Sequence, residues 1–245
     1  MICQFRFQVS APDGERLPSS RAYALYSFLL SLLPEEYAAF LHEQGETPLS
    51  QFLYRDRESG RTVWVVTLFG ADAVECIAPV LAELKEATLH TGVYPLTLLE
   101  RRQFDTPHAF LLAAVESPCP QRMTLQLATP VSFRQNHRYV ILPQERLLLQ
   151  SLLNKWNAVF PTYPLEDEDA IRLLEEGVHL VDYSLRTTRY PLKGTKIPGF
   201  SGTLVIEARL APPIFALWNL LIHFSVYSGI GVKTTLGMGG VSGIE

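Results

Sequence analysis

The sequence has 245 residues, of which 47% are hydrophobic and 19% are charged, and its formal net charge is −4. This length favours two domains of roughly 100–150 residues each, and the apolar fraction is ample for packed cores. The three cysteines lie far apart and form no Cys-x-x-Cys pair, which excludes a disulfide framework and a zinc ribbon and favours a cytoplasmic location. We predict no metal ion and no cofactor. The longest apolar run, 214–227, is too short to span a membrane, so no membrane partner is predicted.

The first half of the chain predicts the order strand, helix, strand, strand, helix, strand. A proline ends the first long helix at position 34, and a Glu-Ser-Gly-Arg turn joins the second and third strands. Alternating apolar residues predict strands at 2–9, 52–57, 62–69, 94–101 and 109–115, and helical spacing predicts helices at 17–33, 35–42 and 71–87.

The second half repeats this plan. Leu17-Pro18 and Leu142-Pro143 each open a helix, have an arginine three residues after the proline, and lie 125 positions apart, about half the chain. Shared helix-start chemistry explains part of this likeness, because proline is favoured in a first helical turn. A repeated unit explains all of it. In this half, strands are predicted at 125–133, 178–190 and 202–209, and helices at 142–160 and 212–227.

We therefore predict an α+β protein of two tandem ferredoxin-like βαββαβ domains, 1–118 and 119–245, that ends in a glycine-rich loop. The charge is unevenly distributed along this chain. The segment 166–176 carries −5, which leaves +1 for all other residues, and a basic stretch without acidic residues follows at 186–196. Because nucleic-acid affinity depends on local neutralisation of phosphates, the negative total does not exclude an RNA partner.

The C-terminal segment YSGIGVKTTLGMGGVSG, 227–243, contains six glycines. Its spacing does not match G-x-x-x-x-G-K-[ST], and no helix is predicted after it, which excludes a P-loop. Three interpretations remain open: a helix cap with a tight turn, a packing surface between the two halves, or a backbone surface that follows the phosphates of a polynucleotide. In the third, Lys233, Thr234 and Thr235 supply charge and hydroxyl donors.

The pattern G-I-G-x-K-T-T-x-G-M-G after a long apolar helix resembles the glycine loop of the CRISPR-associated RAMP superfamily. Within it, the chain resembles the Cas6 family through the segments FLHEQGETPLS, ATPVSFR, LLNKWN and GFSGTLVIE. The resemblance implies RRM-like RAMP domains and an endoribonuclease that cuts CRISPR repeat precursor RNA without metal. It also implies 2′-hydroxyl attack, a 2′,3′-cyclic phosphate and a 5′-hydroxyl. Repeat RNA, and other CRISPR-associated proteins of an interference complex, are the implied partners.

The Leu-His-Glu context places the family's general acid/base histidine at His42. From the residues alone, a histidine at this point is more often a helix C-terminal residue that offsets the helix dipole, and the resemblance reverses that preference. Some family members add a tyrosine on the first helix and a lysine after the histidine, but here the upstream position is Ser27, flanked by Tyr26. Tyr26 and Ser27 are therefore the expected catalytic partners. The alternatives are Tyr23 or Tyr37, which could be core aromatics, and Ser50 or Arg55 for charge stabilisation.

In the resembled family, a hairpin of the second half contacts the RNA stem. This assigns RNA binding to the basic hairpin, which by itself could be an exposed, solvated turn: Arg186, Arg189, Lys193 and Lys196. Arg134 and Arg138 are further RNA-binding candidates, and Lys155 is another, although all three could be ordinary surface charges. A non-catalytic RAMP subunit that holds guide RNA is the main rival function, and His42 separates the two because such a subunit does not need it. A small-nucleotide module is disfavoured, since no P-loop or Rossmann fingerprint occurs.

Overall fold

A computed structural model describes residues 1–11, 16–43, 48–117 and 120–245, and for residues 42 and 43 it describes the backbone only. Two antiparallel sheets, one in each half of the chain, form the framework. Each sheet has helices that cover one face and bury the apolar side chains on it.

The first sheet has the strand order β2-β3-β1-β5-β4. Its helices α1 and α3 cover the face that carries Phe5, Phe7 and Trp64, all of which are fully buried. The elements of this half are β1 (Ile2–Val9), α1 (Ala22–Ser31), α2 (Glu35–Glu43), β2 (Leu49–Arg55), β3 (Thr62–Phe69), α3 (Ala71–Glu83), β4 (Glu86–Leu89) and β5 (Gly92–Phe104).

The second sheet, with the order β11-β6-β10-β9, repeats the arrangement of the first. In both halves the first and third strands of the repeat are central, the second and fourth flank them, and all neighbours are antiparallel. This is the split βαβ topology, so the predicted pair of tandem ferredoxin-like folds is confirmed. The elements are α4 (Pro107–Glu116), β6 (Arg122–Val131), β7 (Phe133–Gln135), β8 (Arg138–Val140), α5 (Glu145–Val159), α6 (Glu168–Gly177), β9 (Val178–Leu192), β10 (Thr195–Ala208), α7 (Pro212–Ser228) and β11 (Val241–Ile244).

The predicted strand at 109–115 is wrong, because this segment belongs to helix α4. Thr106 caps the helix by accepting a hydrogen bond from the backbone N–H of Ala109 at 3.1 Å, and Pro107 occupies the first turn. Phe110 and Ala114 are buried four residues apart, and Phe110 packs on rings of α7. The apolar run therefore follows helical spacing. The fourth strand of the first unit is β5, which is longer than the strand predicted at 94–101.

Helix α4 also bears on the division into domains. It packs on α7, where the Asn219 side-chain amide donates to the carbonyl of Ala114 at 2.6 Å. The core of the second unit therefore includes part of the range assigned to the first. The predicted boundary at 118/119 lies outside the described residues, and the division at that point stays a prediction.

The C-terminal end of α7 joins the two units. The last carbonyls of a helix have no partner within it. Here Gln4 donates to the carbonyl of Val226 at 3.2 Å and Ser50 donates to the carbonyl of Tyr227. Gln4 and Ser50 lie in β1 and β2, so side chains of the first sheet donate to the terminal carbonyls of a helix in the second unit.

Removal of the Ser50 hydroxyl should destabilise the whole chain. In Ser50→Ala the carbonyl of Tyr227 loses its donor inside the protein, which should lower the free energy of unfolding by about 1–2 kcal/mol. Ser31→Ala is the matched control, because the Ser31 hydroxyl is exposed and bonds within α1; its effect should stay within about 0.5 kcal/mol. Urea unfolding curves measure both. Equal midpoints for the two variants would contradict a role for Ser50 in holding the units together.

Candidate nucleic-acid interface

The glycine-rich loop, residues 229–240, runs from the end of α7 to β11 and packs along β6. The backbone N–H of Val232 donates to Ser132 at 2.9 Å, and that of Gly239 donates to Pro130 at 2.9 Å. Gly231 has a φ of 79°, and a Cβ built there would lie 2.3 Å from the carbonyl oxygen of Ser132. Glycine is needed at this position because the backbone is left-handed and in close contact with a strand.

The centre of the loop, a 3-10 turn at Thr234–Leu236, lies against the first unit. Thr235 donates its hydroxyl to the carbonyl of Leu49 at 3.1 Å, and Gln51 donates to the carbonyl of Thr235 at 2.9 Å. The Gln51 amide oxygen in turn accepts from the Trp64 indole at 3.0 Å, so a buried chain of hydrogen bonds fixes the turn. These contacts support the second interpretation of the glycine segment, packing between the two halves.

The three loop residues predicted to bind RNA have different environments. The hydroxyl of Thr234 accepts a hydrogen bond from Lys155 at 2.8 Å, and that of Thr235 donates within the domain contact. Lys233 is exposed. Its backbone is left-handed, with a φ of 62°. Of the three, Lys233 has the side chain most available to a ligand, and RNA binding by all three stays a prediction.

The predicted basic hairpin is formed by β9 and β10, with its turn at Lys193 and Gly194. Its four basic residues are all exposed: Arg186, Arg189, Lys193 and Lys196. Tyr190 anchors the hairpin, since it is 1% exposed and its hydroxyl donates to the carbonyl of Leu236 at 3.0 Å. Burial raises the pKa of Tyr190 above its ordinary value, which keeps this hydroxyl a proton donor.

The tip of the hairpin reaches helix α1 of the first unit. The Lys193 ammonium lies 5.4 Å from the centroid of the Tyr23 ring, a cation–π distance. The hydroxyl of Tyr190 also lies 3.3 Å from the carbonyl of Ser19, just before α1. The structure thus brings the basic hairpin next to the helix that carries two of the predicted catalytic residues.

Helices α1 and α2 carry the predicted catalytic residues. Tyr26 is 6% exposed and belongs to the core of the first unit, whereas Ser27 is exposed and donates its hydroxyl to the carbonyl of Tyr23 at 3.1 Å. His42 lies in the last turn of α2, and its side chain is outside the described part of the structure. The catalytic assignment of these three residues stays a prediction.

The residues named as alternatives for proton transfer and charge stabilisation differ in whether their side chains are free to contact a substrate. The Ser50 hydroxyl is already bonded to Tyr227, and Arg55 is exposed at the end of β2. Tyr37 is half-buried, its hydroxyl has no hydrogen-bond partner among the described residues, and burial raises its pKa. Tyr23 lies beneath Lys193.

A cleft of about 900 Å³ opens on the other side of the loop turn, between α5, the β7–β8 hairpin and the first unit. Its basic lining residues are Arg134, Lys155 and Lys233, and Tyr139 contributes an aromatic ring. Arg138 is exposed on the same small hairpin but does not belong to this lining. The sequence indicated the three cations separately and did not place them in one cleft. It missed Tyr139, whose only signal in the sequence was its position beside Arg138 in a short basic run.

Within the described ranges, no group of three or more His, Cys, Asp or Glu side chains has the geometry to hold a metal ion. In the same part of the chain, none of the helices combines the length and apolar character of a membrane span.

Two ferredoxin-like units joined through a C-terminal glycine loop define a RAMP-type protein. Residues 125–241 match the family model described as CRISPR-associated endoribonuclease Cas6. A Cas6 endoribonuclease from Streptococcus thermophilus is 29% identical over 222 residues, which cover 90% of each chain. One from Mycobacterium tuberculosis is 23% identical over 96% of this chain and 75% of the relative. This chain is therefore similar to Cas6 endoribonucleases over almost its whole length.

Solved structures show the same similarity. A Cas6 product complex is 27% identical, covers 98% of both chains and superposes with a TM-score of 0.76. A Cas6 substrate-mimic complex is 25% identical, covers 99% of this chain and all of the other, and has a TM-score of 0.70. The similarity therefore spans both units and the loop between them.

Because the loop is tightly packed at Gly237, we predict that a single methyl group added there destabilises the fold strongly. This residue has a φ of 99°, and a Cβ there would lie 2.3 Å from the Tyr190 hydroxyl and 2.7 Å from the Cβ of Ala22. Gly237→Ala should therefore reduce the free energy of unfolding by about 2–4 kcal/mol, through overpacking and backbone strain.

Gly243→Ala, in the adjoining strand β11, is the matched control, because a Cβ at Gly243 would have no atom within 4 Å. Denaturant midpoints compare the two variants with the unchanged chain. If Gly237→Ala unfolded at the same midpoint as Gly243→Ala, the loop would not be tightly packed between Tyr190 and α1.

Proposed function

We propose that this chain cleaves CRISPR repeat precursor RNA to produce guide RNAs. The observation that carries the proposal is the similarity over 98% of the chain to a Cas6 solved as a product complex, with a TM-score of 0.76. Relatives described as Cas6 endoribonucleases, similar over 90% or more of this chain, support it further. The coarse activity is RNA cleavage, and its mechanism and residues are proposed below.

The proposed reaction is attack by a ribose 2′-hydroxyl on the adjacent phosphate. It needs a base for that hydroxyl, stabilisation of charge on the phosphorane, and an acid for the leaving 5′-oxygen. The products are a 2′,3′-cyclic phosphate and a 5′-hydroxyl. Since the nucleophile belongs to the substrate, no metal-bound water has to be activated, and we propose a metal-independent mechanism.

His42 is proposed as the general acid/base, because a histidine has its ordinary pKa near neutrality and can exchange protons at physiological pH. Its position at the end of α2 in the Leu-His-Glu context supports this role. Of the two proposed partners on α1, Ser27 has the more accessible hydroxyl, since Tyr26 is 6% exposed. Ser27 is therefore the partner that a phosphate oxygen reaches without rearrangement of the core.

The β9–β10 hairpin is proposed to hold the RNA beside these helices. Arg189 pairs with Pro198, and Lys196 pairs with Pro191, which puts both cations on the hairpin face opposite to Tyr190. Lys193 lies at the tip, over Tyr23 of α1. Exposed cations on a hairpin anchored to α1 would place bound phosphates close to the proposed catalytic residues.

The rival function, a non-catalytic RAMP subunit that retains guide RNA, would use the same basic surfaces. The two functions differ in product formation. Incubation with the repeat RNA from the same genome, followed by analysis of the fragment ends, separates them, because a subunit that only binds leaves the RNA intact.

Cleavage should persist in EDTA. A reaction that uses the substrate's own 2′-hydroxyl and side-chain proton transfer has no step that chelation removes. The measurement is the rate with and without EDTA, together with identification of a 2′,3′-cyclic phosphate on the upstream fragment. An activity that disappears in EDTA and returns with magnesium would rule out the proposed mechanism.

Replacement of the proposed acid/base should slow cleavage and leave binding intact. His42→Ala should reduce the single-turnover rate by about a hundredfold or more, the usual scale for loss of a general acid or base, with RNA affinity nearly unchanged. His90→Ala is the control, because His90 is exposed in the turn between β4 and β5. A wild-type rate for His42→Ala would leave His42 as a helix-terminal residue and favour the rival function.

A further inference from the structure

The cleft beside the glycine loop has the size and walls of a small-ligand site. Its volume of about 900 Å³ falls within the range of roughly 300–1,000 Å³ that pockets for small molecules occupy. Phe69 and Val159 give it apolar surface, while Arg134, Lys155 and Lys233 bring cations from three separate elements. A site of this kind suits a ligand with both a flat apolar part and a negative part.

The charge of the cleft selects an anion. None of the described residues that line it is acidic. Lys155 donates to two neutral oxygens, the Thr234 hydroxyl at 2.8 Å and the Ser228 carbonyl at 3.4 Å, and these contacts hold its ammonium in place. Arg134 and Lys233 are exposed. The positive charges of Arg134, Lys155 and Lys233 together favour the binding of phosphate groups.

The aromatic wall is provided by Tyr139, which is 39% exposed. Tyr139 pairs directly with Arg134 across the β7–β8 hairpin, so the two side chains lie on the same face. The turn residues Asn136 and His137 both have positive φ, as in a type I′ turn, which gives the hairpin a defined shape. An exposed ring beside an arginine is a common platform for an unpaired base.

We infer that this cleft binds one unpaired nucleotide of the RNA, with its base stacked on Tyr139 and its phosphates held by Arg134, Lys155 and Lys233. The inference rests on the proposed function and adds a subsite to it. The loop turn at Thr234–Leu236 lies between the cleft and the β9–β10 hairpin, because its residues line the cleft and the carbonyl of Leu236 also accepts from Tyr190. A strand that follows the hairpin and crosses the loop would enter the cleft.

A nested series of repeat RNAs tests this subsite. Each RNA carries a 2′-deoxy nucleotide at the scissile position, so that it binds without being cut, and the series is shortened one nucleotide at a time from each end. For the unchanged protein, removal of the nucleotide that occupies the cleft should weaken binding about tenfold, as should its replacement by an abasic residue. Fluorescence anisotropy gives the affinities.

The variants separate stacking from a general loss of structure. Tyr139→Ala should weaken binding of the full-length RNA about tenfold and leave binding of the shortened and abasic RNAs unchanged. Tyr139→Phe should retain full affinity, because the ring is kept. Tyr163→Ala is the control: Tyr163 is 60% exposed and does not line the cleft, and its replacement should not change affinity for any RNA in the series.

Two results would overturn the inference. One is a Tyr139→Ala variant that binds the full-length RNA as tightly as the unchanged protein. The other is a Tyr139→Ala variant that loses the same affinity for RNAs with and without the critical nucleotide. Failure of the proposed function is distinct, because it appears as unchanged protein that does not cut unmodified repeat RNA. If cleavage occurs and Tyr139→Ala has no effect, only the subsite is rejected.

Discussion

The C-terminal end of α7 is the contact on which the arrangement of this protein depends. A helix end leaves four carbonyls without intrahelical partners, and burying them unpaired costs free energy. Here the carbonyl of Ser225 accepts from the backbone N–H of Gly229, and those of Val226 and Tyr227 accept from Gln4 and Ser50 of the first sheet. Lys155 bonds to the carbonyl of Ser228. The first unit and α5 together satisfy the end of a helix that belongs to the second unit.

The glycine loop follows from this constraint. A chain that leaves a helix inside a domain contact has little room for side chains, and the hypothetical Cβ of Gly240 would lie 2.3 Å from the Phe52 ring. The glycines thus serve close packing on the inner side, while Lys233 remains exposed on the outer side. One short loop can therefore hold the two units together and also present charge to a ligand.

The separation of charge along the chain explains how a protein with a net charge of −4 can present basic surfaces. Acidic residues are concentrated on and before α6, where Asp169 pairs with Arg172 at 2.8 Å in an exposed setting. The β9–β10 hairpin and the cleft gather their cations elsewhere, and screening limits the influence of distant exposed charges to about 8–10 Å at moderate salt. Local potential, and not the total, governs RNA binding.

The sequence by itself determined the tandem ferredoxin-like plan, because alternation and helical spacing are local properties that survive in each strand and helix. It also singled out the hairpin cations, the histidine and the glycine loop. It did not show α4, whose apolar run was taken for a strand until the Thr106 cap and the burial of Phe110 on α7 were known. Only the tertiary structure decided that Ser50 and Gln51 bind the end of α7 and the loop, and that Tyr139 faces a basic cleft. Those hydrogen bonds join residues up to 184 positions apart in the sequence, and no local sequence pattern encodes a contact over that separation.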